Sequence, residues 1–357
     1  MPTTDCNTRP SILIVLIAGI GDMVLASKSI RAVRNGFPHA EIHLLASTET
    51  APLAIHYPYI DHVHTFPIRE LRHDKRYLLD IIKIIHDLNR TRFDLVLNLY
   101  RVSSLSGSVK MGLLFGMLTA TKKIGHGKYG FGLFLTDAVP AGTFEGGHVV
   151  DAMLKIATRA GGVPDERGIE VFWNTEITSK WEAFFTRQTG KIIVGINPGG
   201  DRENRRWAPD RFASIAEKMI ERFDAGIVLL GGSAEKNIAA YIGSRISSDV
   251  SDLAGKTSVD ELPYIISRLD LLITNDSGPM HIAAATRTPL VALFGPEDPS
   301  LFGPYTEPEL YRVIYKDVSC SPGGEAKCTP LSRLELITSD DVLEACCELL
   351  HGKLSEK

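Results

Sequence analysis

Short apolar runs alternate along the chain with longer segments whose apolar positions recur every three or four residues, the pattern of buried strands separated by amphipathic helices. The spacing predicts a strand over 12–17, a helix over 23–35 stopped at Gly36, and a second strand over 41–46, together a βαβ unit. Further strands are predicted at 62–66 and 93–99, separated by a helix on which Leu78, Leu79, Ile81, Ile82, Ile85 and Leu88 share a face. A helix over 147–160 closes this half. After a polar stretch around 172–180 the alternation restarts, with strands at 192–197, 226–230, 271–274 and 290–294. Helices at 209–222, 235–246, 259–268 and 279–286 fall between and beside them. The expected fold class is α/β, two doubly wound Rossmann-like domains facing a central cleft, because near-continuous apolar strands with helical crossovers imply a parallel sheet covered on both faces. The expected boundaries are 1–180 and 181–335, with a C-terminal helix in 336–357 that packs back across the boundary.

Length agrees with this division, since 357 residues is about twice a typical domain of ~150. Hydrophobic residues at 44% and charged residues at 23% exclude a disordered chain. The formal charge of −4 offers no global basic field, so broad nucleic-acid binding is not expected. Charge is nonetheless uneven: residues 69–135 carry twelve Lys/Arg against five Asp/Glu, or +7. With the glycine-interrupted apolar stretch 109–118, this reads either as a solvated face over a core helix or as a first domain that meets something anionic, such as a membrane surface. Five cysteines without a CxxC pair suit a reducing compartment. The apolar run 12–20 resembles a secretory core, but Gly19, Gly21 and Asp22 break it and an amphipathic helix follows, so a buried first strand and a cytoplasmic chain are expected.

Ligands of doubly wound sheets bind beyond the carboxyl ends of the strands, so the loops there hold the candidate chemistry. The first, Ala18-Gly19-Ile20-Gly21-Asp22, is a poor dinucleotide fingerprint: Val24 holds the third glycine position, and Glu41 begins the second strand where an acid is needed at its end. Asp22 reads either as an N-cap or as an ionised carboxylate able to accept a proton from a sugar hydroxyl. The second loop, 197–207, combines Gly199 and Gly200, whose amides can approach an anion, with Arg205 and Arg206. A solvated turn over a packed Trp207 is the plainer alternative. The third, 274–281, places Pro279 in the first turn of a helix behind Gly278, with Asp276 bracing the loop or bonding a sugar hydroxyl. His281 there is either a phosphate donor or a capped surface histidine. Glu235 can hold ribose hydroxyls or serve as a favourable first-turn acid. His148 and Asp151 lack a third ligand, and no metal site is expected.

These residues resemble glycosyltransferase family 9, the ADP-heptose:lipopolysaccharide heptosyltransferases. The resemblance rests on the strand followed by Gly-x-Gly-Asp, on Arg205-Arg206-Trp207-Ala208-Pro209, and on Asp276-Ser277-Gly278-Pro279-Met280-His281. Leu253-Ala254-Gly255-Lys256-Thr257 and Phe294-Gly295-Pro296 extend it over nearly the whole chain. It implies a GT-B fold, inverting transfer of heptose from ADP-heptose to the lipopolysaccharide inner core, and no cofactor. The family's catalytic aspartate falls on Asp22, with Gly19 and Gly21 in the acceptor-side loop. Its donor-binding residues fall on Gly199, Gly200, Arg205, Arg206, Glu235, Gly255, Asp276, Ser277, Gly278 and His281. Arg205 departs from the family pattern, where lysine is common two residues before the tryptophan. Cys320-Ser321-Pro322 resembles a cysteine-containing segment of some members, with Gly323 at the place of the usual second cysteine. The implied partners are the nucleotide sugar, an anionic lipopolysaccharide precursor and the cytoplasmic face of the inner membrane. Transfer of another sugar, a GT-B-like sugar-nucleotide epimerase and a non-catalytic nucleotide-sugar binder are the alternatives.

Overall fold

The computed structural model describes residues 9–140, 142, 146–188, 190–248, 250–316 and 331–354. Cys6, Cys320, Cys328 and the Cys320–Gly323 segment lie outside the described residues.

The chain forms two compact units, Met1–Arg167 and Gly168–Lys357. The first holds a six-stranded parallel sheet of β1 (Ser11–Leu16), β2 (Glu41–Ser47), β3 (His62–Phe66), β4 (Phe93–Asn98), β5 (Ala120–His126) and β6 (Asp137–Val139) in the order β3-β2-β1-β4-β5-β6. Its helices are α1 (Ile20–Leu25), α2 (Ser27–Gly36), α3 (Ala51–Ala54), α4 (Ile68–His73), α5 (Tyr77–Asn89), α6 (Leu105–Met117) and α7 (Val149–Arg159). The second unit contains α8 (Thr175–Thr186), β7 (Ile193–Asn197), α9 (Pro209–Phe223), β8 (Gly226–Leu229), α10 (Lys236–Ser244), β9 (Val250–Asp252), α11 (Leu262–Ser267), β10 (Leu271–Asn275), α12 (Gly278–Thr286), β11 (Leu290–Leu293), α13 (Pro299–Phe302), β12 (Tyr311–Ile314), α14 (Leu331–Leu336) and α15 (Ser339–Leu354). Its sheet order, β12-β11-β10-β7-β8-β9, is the same topology as the first. In both sheets the first strand lies at the switch point where the winding reverses, so the glycine-rich loops after β1 and β7 occupy equivalent positions.

Central strands are buried on both faces, which is why β1, β7, β10 and β11 read as nearly continuous apolar runs. Ile196, Phe212, Ile273, Leu293 and Leu350 belong to one core of the second unit, and Leu13, Val96, Phe115 and Phe131 to one core of the first. Arg31, fully buried on α2, donates from Nε and Nη2 to Asp165 at 2.9–3.1 Å and from Nη2 to the Arg167 carbonyl at 2.8 Å, tying the last residues of the first unit to its core. Gly36 ends α2 against backbone: a Cβ there would stand 2.1 Å from the Gly161 carbonyl oxygen.

The elements differ from expectation in detail. The helix expected over 23–35 is two consecutive helices, α1 and α2, meeting at Ala26. The units divide at 167/168, and α8 belongs to the second, where Lys180 pairs with Glu261 and Glu182 accepts from the Tyr264 hydroxyl at 2.5 Å. Of the six apolar residues assigned one face of α5, Ile81, Ile85 and Leu88 are buried while Leu78, Leu79 and Ile82 are exposed. That helix covers the sheet with a single narrow stripe. The final helix packs on α9, β10, β11 and β12 of its own unit.

Candidate functional site

The turn after β1 enters α1 directly. Gly19, in extended conformation, is the N-cap, and Asp22 is the third residue of the helix, half-buried and in its first turn. Asp22 is therefore not the N-cap. Ser47, at the carboxyl end of β2, donates through Oγ to the Ala18 carbonyl at 2.9 Å and holds this turn. Beside it, Asn98 at the end of β4 donates to the Tyr100 carbonyl at 3.0 Å and accepts from the Tyr100 amide at 3.2 Å. His126 at the end of β5 accepts from the Val102 amide at 2.9 Å, and burial lowers its pKa to about 4, so it stays neutral. Asn98 and His126 were not singled out from sequence. Their signal is positional, as polar residues closing apolar strands.

In the second unit three loops converge on two buried amides. Asn197, last in β7, donates to Thr274 Oγ1 and Ser277 Oγ, each at 3.0 Å. Asn275, last in β10 and fully buried, accepts from the Trp207 amide at 3.0 Å and donates to the Pro198 and Gly199 carbonyls at 2.9 and 3.1 Å. The 198–207 loop is thereby clamped to the 275–278 loop, with Trp207 buried beneath, its ring edge-on to Phe212 and its Nε1 donating to the Ile337 carbonyl at 3.0 Å. Neither asparagine was among the expected residues, although Asn-Pro and Asn-Asp at strand ends are the available signs.

Arg205 lies among three carboxylates. Its Nη1 is 3.4 Å from Asp276 and 3.6 Å from Asp201, and its Nη2 pairs with Glu297. The Arg205 Nε and the Asp276 Oδ2 are both buried without a hydrogen bond. Burial raises the Asp276 pKa to about 6, the Arg205 charge opposing and Glu297 and Asp201 adding to the rise. Arg206 donates from Nε to the Gly200 carbonyl at 2.9 Å and has Nη2 3.9 Å from Glu235. Glu235 accepts from the Gly232 amide at 2.9 Å, the first-turn role, and its Cγ would lie 3.0 Å from a Cβ on Gly199. Ser277 is the N-cap of α12; Asp276 precedes it, and Gly278 and Pro279 open the helix. His281 is buried in the first turn, so it is no surface histidine. Gly255, at φ +66°, donates to the Gly231 carbonyl at 2.8 Å, and any Cβ there would collide with Lys236.

The structure thus brings Gly199, Gly200, Arg205, Arg206, Glu235, Asp276, Ser277 and Gly278 into one neighbourhood, while Asp22, Gly19 and Gly21 belong to the other unit. It supplies backbone amides at a helix start, two guanidinium groups and acceptors for hydroxyls, a set suited to a phosphorylated sugar nucleotide.

Two doubly wound domains of this kind make up the GT-B fold. The model of glycosyltransferase family 9 (heptosyltransferase) matches residues 81–331, and the chain belongs to that family. Lipopolysaccharide heptosyltransferase 2 of Salmonella typhimurium is 26% identical over 361 residues, covering 97% of this chain and 99% of that protein. The family 9 glycosyl transferase of Veillonella parvula superposes with a TM-score of 0.83 at 22% identity, over 96% of this chain and 98% of that one. E. coli ADP-heptose LPS heptosyltransferase II gives 0.74 at 23% identity, over 96% and 99%.

Proposed function

We propose that this chain transfers heptose from ADP-heptose to the inner core of lipopolysaccharide with inversion at the anomeric carbon. The observation that carries the reading is the clamped loop set around Asn275 in a chain that belongs to family 9. The Asp22 carboxylate takes the proton of the acceptor hydroxyl as its oxygen bonds to the anomeric carbon. The bond from that carbon to the diphosphate breaks on the opposite side, and ADP departs. Negative charge grows on the leaving oxygen, where amides of the 199–200 turn and the start of α12, with Arg205 and Arg206, are suited to stabilise it. Arg205 must then exchange carboxylate partners for phosphate oxygens, leaving Asp201, Asp276 and Glu297 to accept from hydroxyls.

Among the described residues no helix is long and apolar enough to cross a membrane. Peripheral contact on the cytoplasmic face fits α6, where Leu105, Val109, Leu113 and Met117 recur every four residues and are each about half or more exposed. Lys110 lies beside them within the segment of net charge +7. Loss of binding to anionic vesicles in V109E/L113E, with binding kept by the wild type, is the expected outcome.

Asp22→Asn tests the reaction itself. It is expected to lower turnover at least about a hundredfold, the lower end of what a general base contributes, while calorimetric titration with ADP stays at wild-type affinity. Wild-type turnover in this variant overturns the base assignment, and preference for UDP or GDP over ADP overturns the donor.

A further inference from the structure

The proposed reaction leaves unused a group of histidines at the other end of the first sheet. Glu41 and His43 are the first and third residues of β2, so they share a face, and His62, first in the edge strand β3, is the register partner of His43. One ligand atom from each of Glu41, His43 and His62 lies within 4.8 Å of the other two. The His62 Nε2 is 2.7 Å from Glu41 Oε1, and the His43 Nε2 is 3.7 Å from the same oxygen. His43 is buried, its ring edge-on to Phe93, and its Nε2 has no hydrogen-bond partner. The side chain is 7% exposed, and that nitrogen faces the Glu41 carboxylate.

Behind it, His43 Nδ1 lies 2.9 Å from His64 Nε2. If Nδ1 carries the proton and donates to His64, the Nε2 lone pair of His43 points into the cluster. This is the arrangement in which an outer partner fixes the tautomer of a metal-ligating histidine. Glu41 and His62 are about half exposed, which leaves a path for an ion and an open side for water.

We propose that Glu41, His43 and His62 form a binding site for a zinc-class divalent cation, with His64 orienting His43 from behind. Two imidazoles and one carboxylate suit Zn2+ or its neighbours better than Mg2+ or Ca2+, which take oxygen ligands. The ion would replace the Glu41–His62 hydrogen bond with bonds from both groups and would staple edge strand β3 to β2. Six residues of strand separate Glu41 from Ser47, roughly 20 Å at the rise of a β-strand, so the site lies far from the Asp22 turn and its role is structural.

The test is calorimetric titration of the full chain, stripped of metal, with Zn2+, together with thermal melts and the visible spectrum of the Co2+ form. Expected are one Zn2+ per chain at micromolar concentration, a higher melting temperature with Zn2+ and a four- or five-coordinate Co2+ spectrum without thiolate bands. His62→Gln and Glu41→Gln change exposed side chains and should fold, yet each should abolish the melting shift. His64→Leu, which removes no ligand, should weaken binding by about 10- to 100-fold. Absence of micromolar binding, wild-type affinity in both His62→Gln and Glu41→Gln, or thiolate bands in the Co2+ spectrum would overturn the assignment.

Discussion

Asp276 offers a prediction whose size follows from its surroundings. The carboxyl is buried, and its pKa is raised from the ordinary aspartate value of 3.8 to about 6, chiefly by loss of water. A raised native value means that the folded protein holds this proton more firmly than the unfolded chain does. The associated stability is fully present below about pH 4 and is lost as pH rises through about 6. At about 1.4 kcal/mol per pKa unit, the ionised form costs about 3 kcal/mol at pH 8 and about 1 kcal/mol at pH 4.5. Asp276→Asn, which cannot ionise, should therefore stabilise the second unit by about 3 kcal/mol at pH 8 and by about 1 kcal/mol at pH 4.5. Urea unfolding followed by tryptophan fluorescence reads this unit alone, because Trp173, Trp181 and Trp207 are the three tryptophans of the chain and all lie after Gly168. A variant less stable than wild type at pH 8 would refute the reasoning. Attraction to Arg205, 3.4 Å away, would then outweigh the burial of the charge.

Two further outcomes are expected. Asn275→Ala should cost about 2–4 kcal/mol in the same unfolding assay, since it strands the Trp207 amide and two carbonyls, and should weaken ADP binding by loosening the 198–207 loop. Asp165→Asn should destabilise the first unit by about 3 kcal/mol, because the buried Arg31 loses the charge of Asp165. Paired with Arg31 and Arg167, the Asp165 carboxyl is held well below the ordinary range, so wild type should lose this contribution only as pH falls below about 4. Denaturation of the isolated 1–167 fragment followed by circular dichroism checks both the size and the window.

The strands buried on both faces are legible in the sequence, and so is the edge strand β3, found at its predicted place. β1, β4, β7, β10 and β11 are apolar throughout or nearly so, and each is found within a residue or two of its predicted place. The strands that escaped notice are β5, β6, β9 and β12, toward the outer edges, where a short or half-exposed strand needs no apolar run: β5 reads Ala-Thr-Lys-Lys-Ile-Gly-His and β9 has three residues. The expected α5 face was too wide because six apolar residues in a short helix were all assigned to one side. In the candidate site, glycine, proline and charged residues mark the loops, since those residue types set backbone conformation locally. Asn197 and Asn275 do not announce themselves, because their work is done by hydrogen bonds to residues 68–80 positions away. Glu41 and His43 lie on one strand and His62 and His64 on another, and only the parallel register of β2 and β3 makes them a cluster.

The bond between Arg31 and Asp165 also bears on synthesis of the chain. The two residues are 134 positions apart, and the arginine is fully buried once α2 packs. At about 5–20 residues per second, the ribosome adds Asp165 on the order of 10 s after Arg31. Until then, packing α2 fully would bury the guanidinium without the Asp165 carboxylate. The nascent first domain is therefore held short of its final core until its last residues emerge, and it completes that core about when the second domain begins to be made.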